Sequence, residues 1–171
     1  MRRFLLLILI LSIFTSCQKP IQLIDSPLEL MAKITSYFPD IPPAKGVYFE
    51  SAEMLDAGYF DPEYACYLYT GQFIADFNML DKLEAYAVRI PDGKSAFEIH
   101  IFKVRNISDI ESVEDMCRSR LNILKSGNIA GYDPELFYTI IEKAEVYTVD
   151  NYVFLLATTD NDAVKNIIRV E

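Results

Sequence analysis

Histidine, cysteine and basic side chains are scarce in this sequence, and each scarcity argues against a class of protein. One His and three Cys among 171 residues leave few ligands for a transition-metal site. The 16 basic side chains are outnumbered by 25 acidic ones, and the resulting net charge of −9 does not suit a nucleic-acid binder, which needs clustered Lys and Arg. We therefore expect no metal, no cofactor and no nucleic-acid partner.

Apolar residues, in contrast, are plentiful. The chain is 51% hydrophobic and 13% aromatic, which is too much for a disordered acidic segment. A length of 171 residues suits one domain better than two. The composition therefore predicts a single folded domain.

The first 17 residues resemble the signal peptide of a bacterial lipoprotein. Two Arg precede the apolar run Phe4–Phe14, which is shorter than the roughly 20 apolar residues that cross a bilayer. Thr15 and Ser16 then lead to Cys17, as in the lipobox, where a diacylglyceryl group is attached to the Cys sulfur before cleavage. Phe14 departs from the Leu, Val or Ile that the lipobox prefers. An ordinary secretory signal that is cleaved elsewhere is the alternative.

This resemblance predicts a lipoprotein signal peptide over residues 1–16, a lipidated Cys17 with a short tether to residue 25, and one globular domain over residues 26–171. Removing residues 1–16 takes away two Arg and no acid, so 14 basic and 25 acidic side chains leave a net charge of −11. Two acyl chains hold a protein stably on a membrane. We expect attachment through Cys17 to the outer face of the cytoplasmic membrane, or to the outer membrane in a host with two membranes.

Capping residues predict where helices of the domain begin. Ser26–Glu29 and Ser108–Glu111 have the sequence of a capping box, in which Ser and Glu side chains satisfy the first backbone amides of a helix. Gly127 is expected to end the helix that starts at Ser108. Asp61 and Pro62 predict another helix, which Gly71 ends.

Alternating apolar residues and turn signals predict two β-hairpins. Residues 83–90 and 96–104 form the first, and residues 145–149 and 151–158 form the second around Asp150. Each hairpin precedes a helix, which indicates a weak duplication of one ββα unit. The expected fold class is α+β, with an antiparallel sheet built from two hairpins and packed against helices as a two-layer sandwich.

Three segments of the chain also resemble a known family. They are residues 96–104 (AFEIHIFKV), the following helix with Arg118 and Arg120, and Val146 together with residues 151–155 (NYVFL). In this order, from about Phe60 to the C-terminus, they resemble the DUF4358 family of small bacterial lipoproteins, found chiefly in Firmicutes. The resemblance implies an exported lipoprotein of unknown activity. It supplies no catalytic residue that could be transferred to this chain.

The sequence contains no motif for nucleophilic or metal-dependent hydrolysis, such as G-x-S-x-G, a Walker loop or H-E-x-x-H. His100 is the one His, so it would have to serve as any imidazole base, oriented by Glu98 on the same face of its strand. The alternative is a structural His on a polar or helix-covered face of the sheet. We expect no catalytic residue on this basis.

The leading candidates for ligand binding are Tyr59, Tyr64, Tyr67 and Tyr69. They belong to an aromatic cluster that also contains Phe60, Phe73 and Phe77. The last three point around more than half of a short helix, so at least one ring should be half exposed. An exposed Tyr ring can stack on a sugar, hold a cationic group or anchor a protein contact. The alternative is that the rings close the core while their hydroxyls reach solvent.

Four other residues have two interpretations each. Lys103 and Arg120 are candidates for binding an anionic group, or they pair with nearby carboxylates. Cys66 and Cys117 are an even pair in an exported chain, which permits a disulfide. Because Cys117 is in phase with the apolar residues of its helix, two free buried thiols are the favoured interpretation.

These observations favour a membrane-anchored extracytoplasmic lipoprotein that binds an unknown envelope protein or small ligand without catalysis. Two alternatives remain open: an envelope hydrolase that uses acidic residues, and a structural accessory subunit of an envelope complex. Two facing carboxyl groups in a deep pocket, one with a raised pKa, would favour the hydrolase. A flat apolar patch would favour a protein partner.

Overall fold

The computed structural model describes residues 25–92, 95–126 and 134–169. The predicted signal peptide, Cys17, nearly all of the predicted tether, part of the first hairpin turn and the predicted helix end at Gly127 lie outside these residues. The α-helices are α1 (Pro27–Tyr37), α2 (Pro62–Thr70), α3 (Ile110–Lys125), α4 (Pro134–Ile141) and α5 (Asn161–Arg169). The strands are β1 (Ala44–Phe49), β2 (Leu83–Pro91), β3 (Glu98–Val104), β4 (Glu145–Val149) and β5 (Tyr152–Ala157).

One antiparallel sheet contains these five strands in the order β1-β2-β3-β5-β4. Strand β2 pairs with β3 and β4 pairs with β5, which confirms both predicted hairpins and the α+β class. Asp150, in the turn of the second hairpin, has a φ of 53°, which Asp tolerates better than most residues. The hairpins join through β3 and β5, so these two strands lie inside the sheet.

The side chains of β3 alternate between two covered faces. Glu98, His100 and Phe102 point to one face, where Tyr69 of α2 and Arg120 of α3 contact them. This face carries the polar groups that are described below.

Helices α1 and α5 cover the opposite face. The Tyr152 hydroxyl donates a 2.8 Å hydrogen bond to the carbonyl of Asp25, directly before α1. Arg169 of α5 donates a hydrogen bond to the Tyr147 hydroxyl. The strand pairing places both Tyr side chains on the same face as Ile101.

The domain therefore has three layers where we expected two. Strands β3 and β5 are buried on both faces because helices cover each side of the sheet. Strand β5 has no polar face and needs this cover, whereas the buried Glu98 and His100 of β3 have polar partners on the covering helices. The helices that follow the two hairpins, α3 and α5, pack on opposite faces. The ββα duplication is thus one of element order and not of spatial arrangement.

Capping side chains set the ends of α1 and α2 as predicted. Ser26 and Glu29 form the reciprocal capping box of α1. At α2, the Asp61 carboxylate accepts a 2.9 Å hydrogen bond from the backbone N–H of Tyr64. Gly71 ends α2 with a φ of 73°, the left-handed conformation that favours glycine.

The capping box predicted at Ser108–Glu111 is wrong. A 3-10 turn at Ile107–Asp109 precedes α3, so the helix begins at Ile110 and Asp109 takes the N-cap position. The Asp109 side chain makes no cap hydrogen bond, because it accepts one from Asn106 instead.

Candidate functional site

A buried polar network lies between β3 and the helices α2 and α3. Arg120 donates two hydrogen bonds to the Glu98 carboxylate, from Nε at 3.1 Å and from Nη2. The Tyr69 hydroxyl lies 2.8 Å from Nδ1 of His100, and His100 Nε2 lies 3.2 Å from Oε2 of Glu98. Glu98, His100 and Tyr69 are 0% exposed and Arg120 is 7% exposed.

The negative charge of Glu98 and the positive charge of Arg120 cancel, so the network is neutral when the His100 imidazole carries a single proton. Burial alone would raise the pKa of Glu98, but the attraction of Arg120 and the contact with His100 outweigh it and lower that pKa to about 2. Burial lowers the pKa of His100 more than the neighbouring carboxylate raises it, so the imidazole is neutral at pH 7. The Tyr69 hydroxyl and Nδ1 of His100 share one hydrogen bond, in which Nδ1 accepts when the imidazole proton is on Nε2 and donates when it is on Nδ1.

This network joins two helices to the centre of the sheet and is closed to solvent. A general base must come within hydrogen-bond distance of its substrate, which a fully buried imidazole cannot do in this structure. The Nε2 of His100 and the Glu98 carboxylate also lie side by side without the alignment of a hydrogen bond, as expected for neighbours on one strand face. The structural interpretation of His100 therefore fits its position.

Both basic candidates pair with carboxylates of the domain. Arg120 pairs with Glu98, and Nζ of Lys103 lies 2.7 Å from Oε1 of Glu84 on the neighbouring strand β2. Each side chain thus makes the ion pair that was the alternative to binding an anionic ligand.

The four candidate tyrosines do not share one surface. Tyr69 belongs to the buried network, whereas Tyr67 is 52% exposed, which confirms that at least one ring of α2 is half exposed. Tyr64 is half-buried, and Nζ of Lys45 lies 5.3 Å from its ring centroid. Tyr59 is also partly buried. Of the four, Tyr67 is the one that presents most of its ring to solvent.

Tyr67 lies beside two exposed side chains of the loop that follows α2, and we call Tyr67, Phe73 and Ile74 the aromatic patch. The ring centroids of Tyr67 and Phe73 are 5.6 Å apart. Phe73 is 72% exposed and Ile74 is 44% exposed. Sequence reasoning placed Phe73 in the aromatic cluster but did not select it, and it missed Ile74. Two bulky apolar residues that follow a helix-ending glycine after one intervening Gln were the available signal.

Two open grooves adjoin the loop that carries this patch. The first has a volume of about 480 Å³ and is lined by Pro62, Glu63 and Cys66 of α2 and by residues 73–75 and Phe77. The second has a volume of about 280 Å³ and lies between the same loop and α3, where Ile74 and Phe77 again contribute. The loop therefore supplies walls to both grooves.

Cys66 and Cys117 are free, buried thiols, so the disulfide alternative is not formed in the structure. Sγ of Cys66 lines the first groove and accepts a 3.2 Å hydrogen bond from the backbone N–H of Ile74. Cys117 is 0% exposed in α3, where burial raises the pKa of its thiol. Its inward position follows from the helical phase noted in the sequence.

Metal binding and membrane crossing find no support within the part of the chain that the structure describes. There, no three His, Cys, Asp or Glu side chains meet in a way that could hold a metal ion. None of the described helices combines the length and the apolar character that a bilayer span requires.

Comparison with known families identifies the central part of the domain. Residues 75–158 match the family model described as Domain of unknown function (DUF4358). This segment of the chain belongs to that family. The DUF4358 match covers β2 to β5 and includes Glu98, His100 and Arg120, but it begins just after the aromatic patch. No curated protein and no solved structure matches the chain significantly.

Proposed function

We propose that this DUF4358 protein is a lipoprotein, anchored through acyl chains on Cys17 to the outer face of the cytoplasmic membrane, whose domain binds an envelope component without catalysis. The aromatic patch is the observation that supports binding. Tyr67 and Phe73 hold two rings in contact, exposed to solvent, beside a groove of about 480 Å³. Exposed aromatic side chains beside a concave surface are typical anchors of ligands and protein partners.

The carboxylates near the grooves support binding over hydrolysis. Glu63 is the acidic residue that lines the first groove, and Asp76 is the one that lines the second. A hydrolase that works with acidic residues needs two carboxyl groups facing one substrate, with different pKa values. A single carboxylate in each groove is better suited to attracting a ligand than to breaking a bond.

The anchor is tested by metabolic labelling with an alkyne fatty acid. The wild-type chain should be labelled, and Cys17→Ala should lose the label and mature abnormally, because the thioether forms at that sulfur. Cys117→Ala is the matched control and should remain labelled. If Cys17→Ala is still labelled and processed at the same position, the anchor is wrong.

The binding role is tested by photo-crosslinking in intact cells. A benzoylphenylalanine at position 73 should give adducts that are absent when the same residue replaces Tyr138, which is 62% exposed on α4 and lines neither groove. Identical adducts from both positions would mean that the aromatic patch has no specific ligand.

A further inference from the structure

The segment between Lys45 and Lys82, which contains the aromatic patch, concentrates unpaired negative charge. It has seven acidic residues and no Lys, Arg or His. All seven side chains are exposed, and none forms an ion pair within the described part of the chain. These residues are Glu50, Glu53, Asp56, Asp61, Glu63, Asp76 and Asp81.

Three of these carboxylates lie at the grooves themselves or at the helix end beside them. Glu63 lines the first groove and Asp76 lines the second. Asp61 caps α2 immediately before Pro62, which also lines the first groove. Because no Lys or Arg among the described residues forms an ion pair with them, a ligand at either groove meets a negative potential.

Some carboxylates elsewhere on the surface form ion pairs with basic side chains. Lys103 pairs with Glu84, and Arg118 pairs with both Glu114 and Asp115. Exposed carboxylates without an ion pair also lie elsewhere, such as Glu111 and Glu142, so what distinguishes the segment is that seven acidic residues occur there with no basic residue among them.

The aromatic patch adds apolar surface beside Glu63 and Asp76. Phe73, with 72% of its surface exposed, and Tyr67, with 52%, leave apolar ring faces in contact with water. Covering such rings with an apolar group stabilises a complex, while the surrounding charges select the partner and speed its approach. A ligand that is both apolar and cationic satisfies both requirements.

We infer that the first groove and the aromatic patch bind a basic peptide segment of a protein partner, with an apolar side chain seated against Phe73 and flanking Lys or Arg side chains facing Glu63 and Asp76. This inference rests on the proposed function, since it names the class of partner for the same surface. An anionic membrane surface does not fit, because the same carboxylates repel it.

The inference is tested with three dye-labelled pentapeptides. Lys-Lys-Phe-Lys-Lys carries positive charge and an apolar Phe side chain. Lys-Lys-Ala-Lys-Lys lacks the Phe side chain, and Glu-Glu-Phe-Glu-Glu keeps it but carries negative charge. Fluorescence anisotropy is measured with the full mature lipoprotein in phosphatidylcholine nanodiscs, and empty nanodiscs supply the blank. The first peptide should bind at least tenfold more tightly than either of the others, and its affinity should fall with added salt.

Two variants and their matched controls assign this binding to the groove. Phe73→Ala should weaken binding of the first peptide roughly tenfold, and Glu63→Gln should weaken it roughly twofold to fivefold. Tyr138→Ala and Glu111→Gln remove an exposed ring and an exposed carboxylate outside both grooves and should leave the affinity unchanged. Thermal denaturation verifies that each variant is folded.

The outcomes separate this inference from the proposed function. Absence of peptide binding, equal binding of all three peptides, or equal effects of the variants and their controls would overturn the basic-peptide partner. If position 73 nevertheless forms specific crosslinks, to a sugar polymer, to a lipid or to a second copy of this chain, the binding role remains and only the class of partner is wrong. Loss of both peptide binding and crosslinks would overturn both proposals.

Discussion

Replacing Arg120 with Met should destabilise the domain far more than the same change at Arg118, although both arginines lie on α3 and pair with carboxylates. Arg118 is 52% exposed, and its pairs with Glu114 and Asp115 are of the surface type, worth about 0.5 kcal/mol each. Arg120→Met leaves the carboxylate of Glu98 at 0% exposure with no cation. Breaking a buried pair in this way costs about 3–5 kcal/mol.

The direction in which the free energy of unfolding changes with pH provides a second test of the buried pair. In the wild type, the pKa of Glu98 is about 2 in the folded chain, against a usual 4.5, so roughly 3 kcal/mol of stability is present above pH 4.5 and is lost as the pH falls towards 2. His100 acts in the same direction, because its lowered pKa makes the folded chain resist a proton that the unfolded chain accepts below about pH 6.5.

Arg120→Met should reverse this sign near neutral pH. Without Arg120, burial is no longer offset, so the folded chain takes up a proton at Glu98 or His100. A folded pKa above the unfolded value gives stability that is present at low pH and is lost as the pH rises. The variant should therefore lose less stability, relative to wild type, at pH 5 than at pH 7.

Urea denaturation, followed by circular dichroism, measures both effects on the chain from residue 17 with Cys17→Ser. Arg118→Met should follow the wild-type pH dependence with a loss below about 1 kcal/mol. Arg120→Lys keeps the charge but loses the paired donors, so it should be intermediate and serves if Arg120→Met does not fold. If Arg120→Met costs no more than Arg118→Met, or if its stability follows the wild-type pH dependence, the buried pair does not stabilise the domain in this way.

Two substitutions and one labelling experiment test other contacts of the domain. Gly71→Ala should cost about 1 kcal/mol in thermal denaturation, because its φ of 73° strains Ala even though the nearest atom to a new Cβ would be 3.7 Å away; an unchanged melting temperature would contradict this. Tyr69→Phe removes the hydroxyl that lies 2.8 Å from Nδ1 of His100 and should cost about 1–2 kcal/mol in urea denaturation, whereas a neutral effect would show that the contact is dispensable. Cys117, at 0% exposure, should react with a maleimide only after unfolding, and rapid labelling of the native chain would mean that its helix is not packed as described.

Part of the candidate site was predictable from helical geometry. Tyr67 and Tyr69 are two positions apart on α2, so they had to point in very different directions. Which of them faces the core could not be derived from α2 alone, because it depends on where β3 places His100 and Phe102. The pairing of Glu98 with Arg120 beside His100 could not be predicted either, because Arg120 belongs to a helix that begins several residues after the strand ends.

The grooves could not be predicted for a related reason. Their walls combine α2, the loop at residues 73–77 and, for the second groove, α3. The sequence of that loop has no periodicity from which its course could be read, so its position became clear only from its contacts, such as the hydrogen bond from Ile74 N–H to Cys66.

The starts of α1 and α2, the end of α2, both hairpins and the α+β class were contained in the sequence, because caps, turns and residue periodicity act within a few positions along the chain. The number of layers, the buried pairing of Glu98 with Arg120 and the exposure of Phe73 were decided by the tertiary structure. Those features depend on which faces pack together, and packing joins residues that local patterns leave independent of one another.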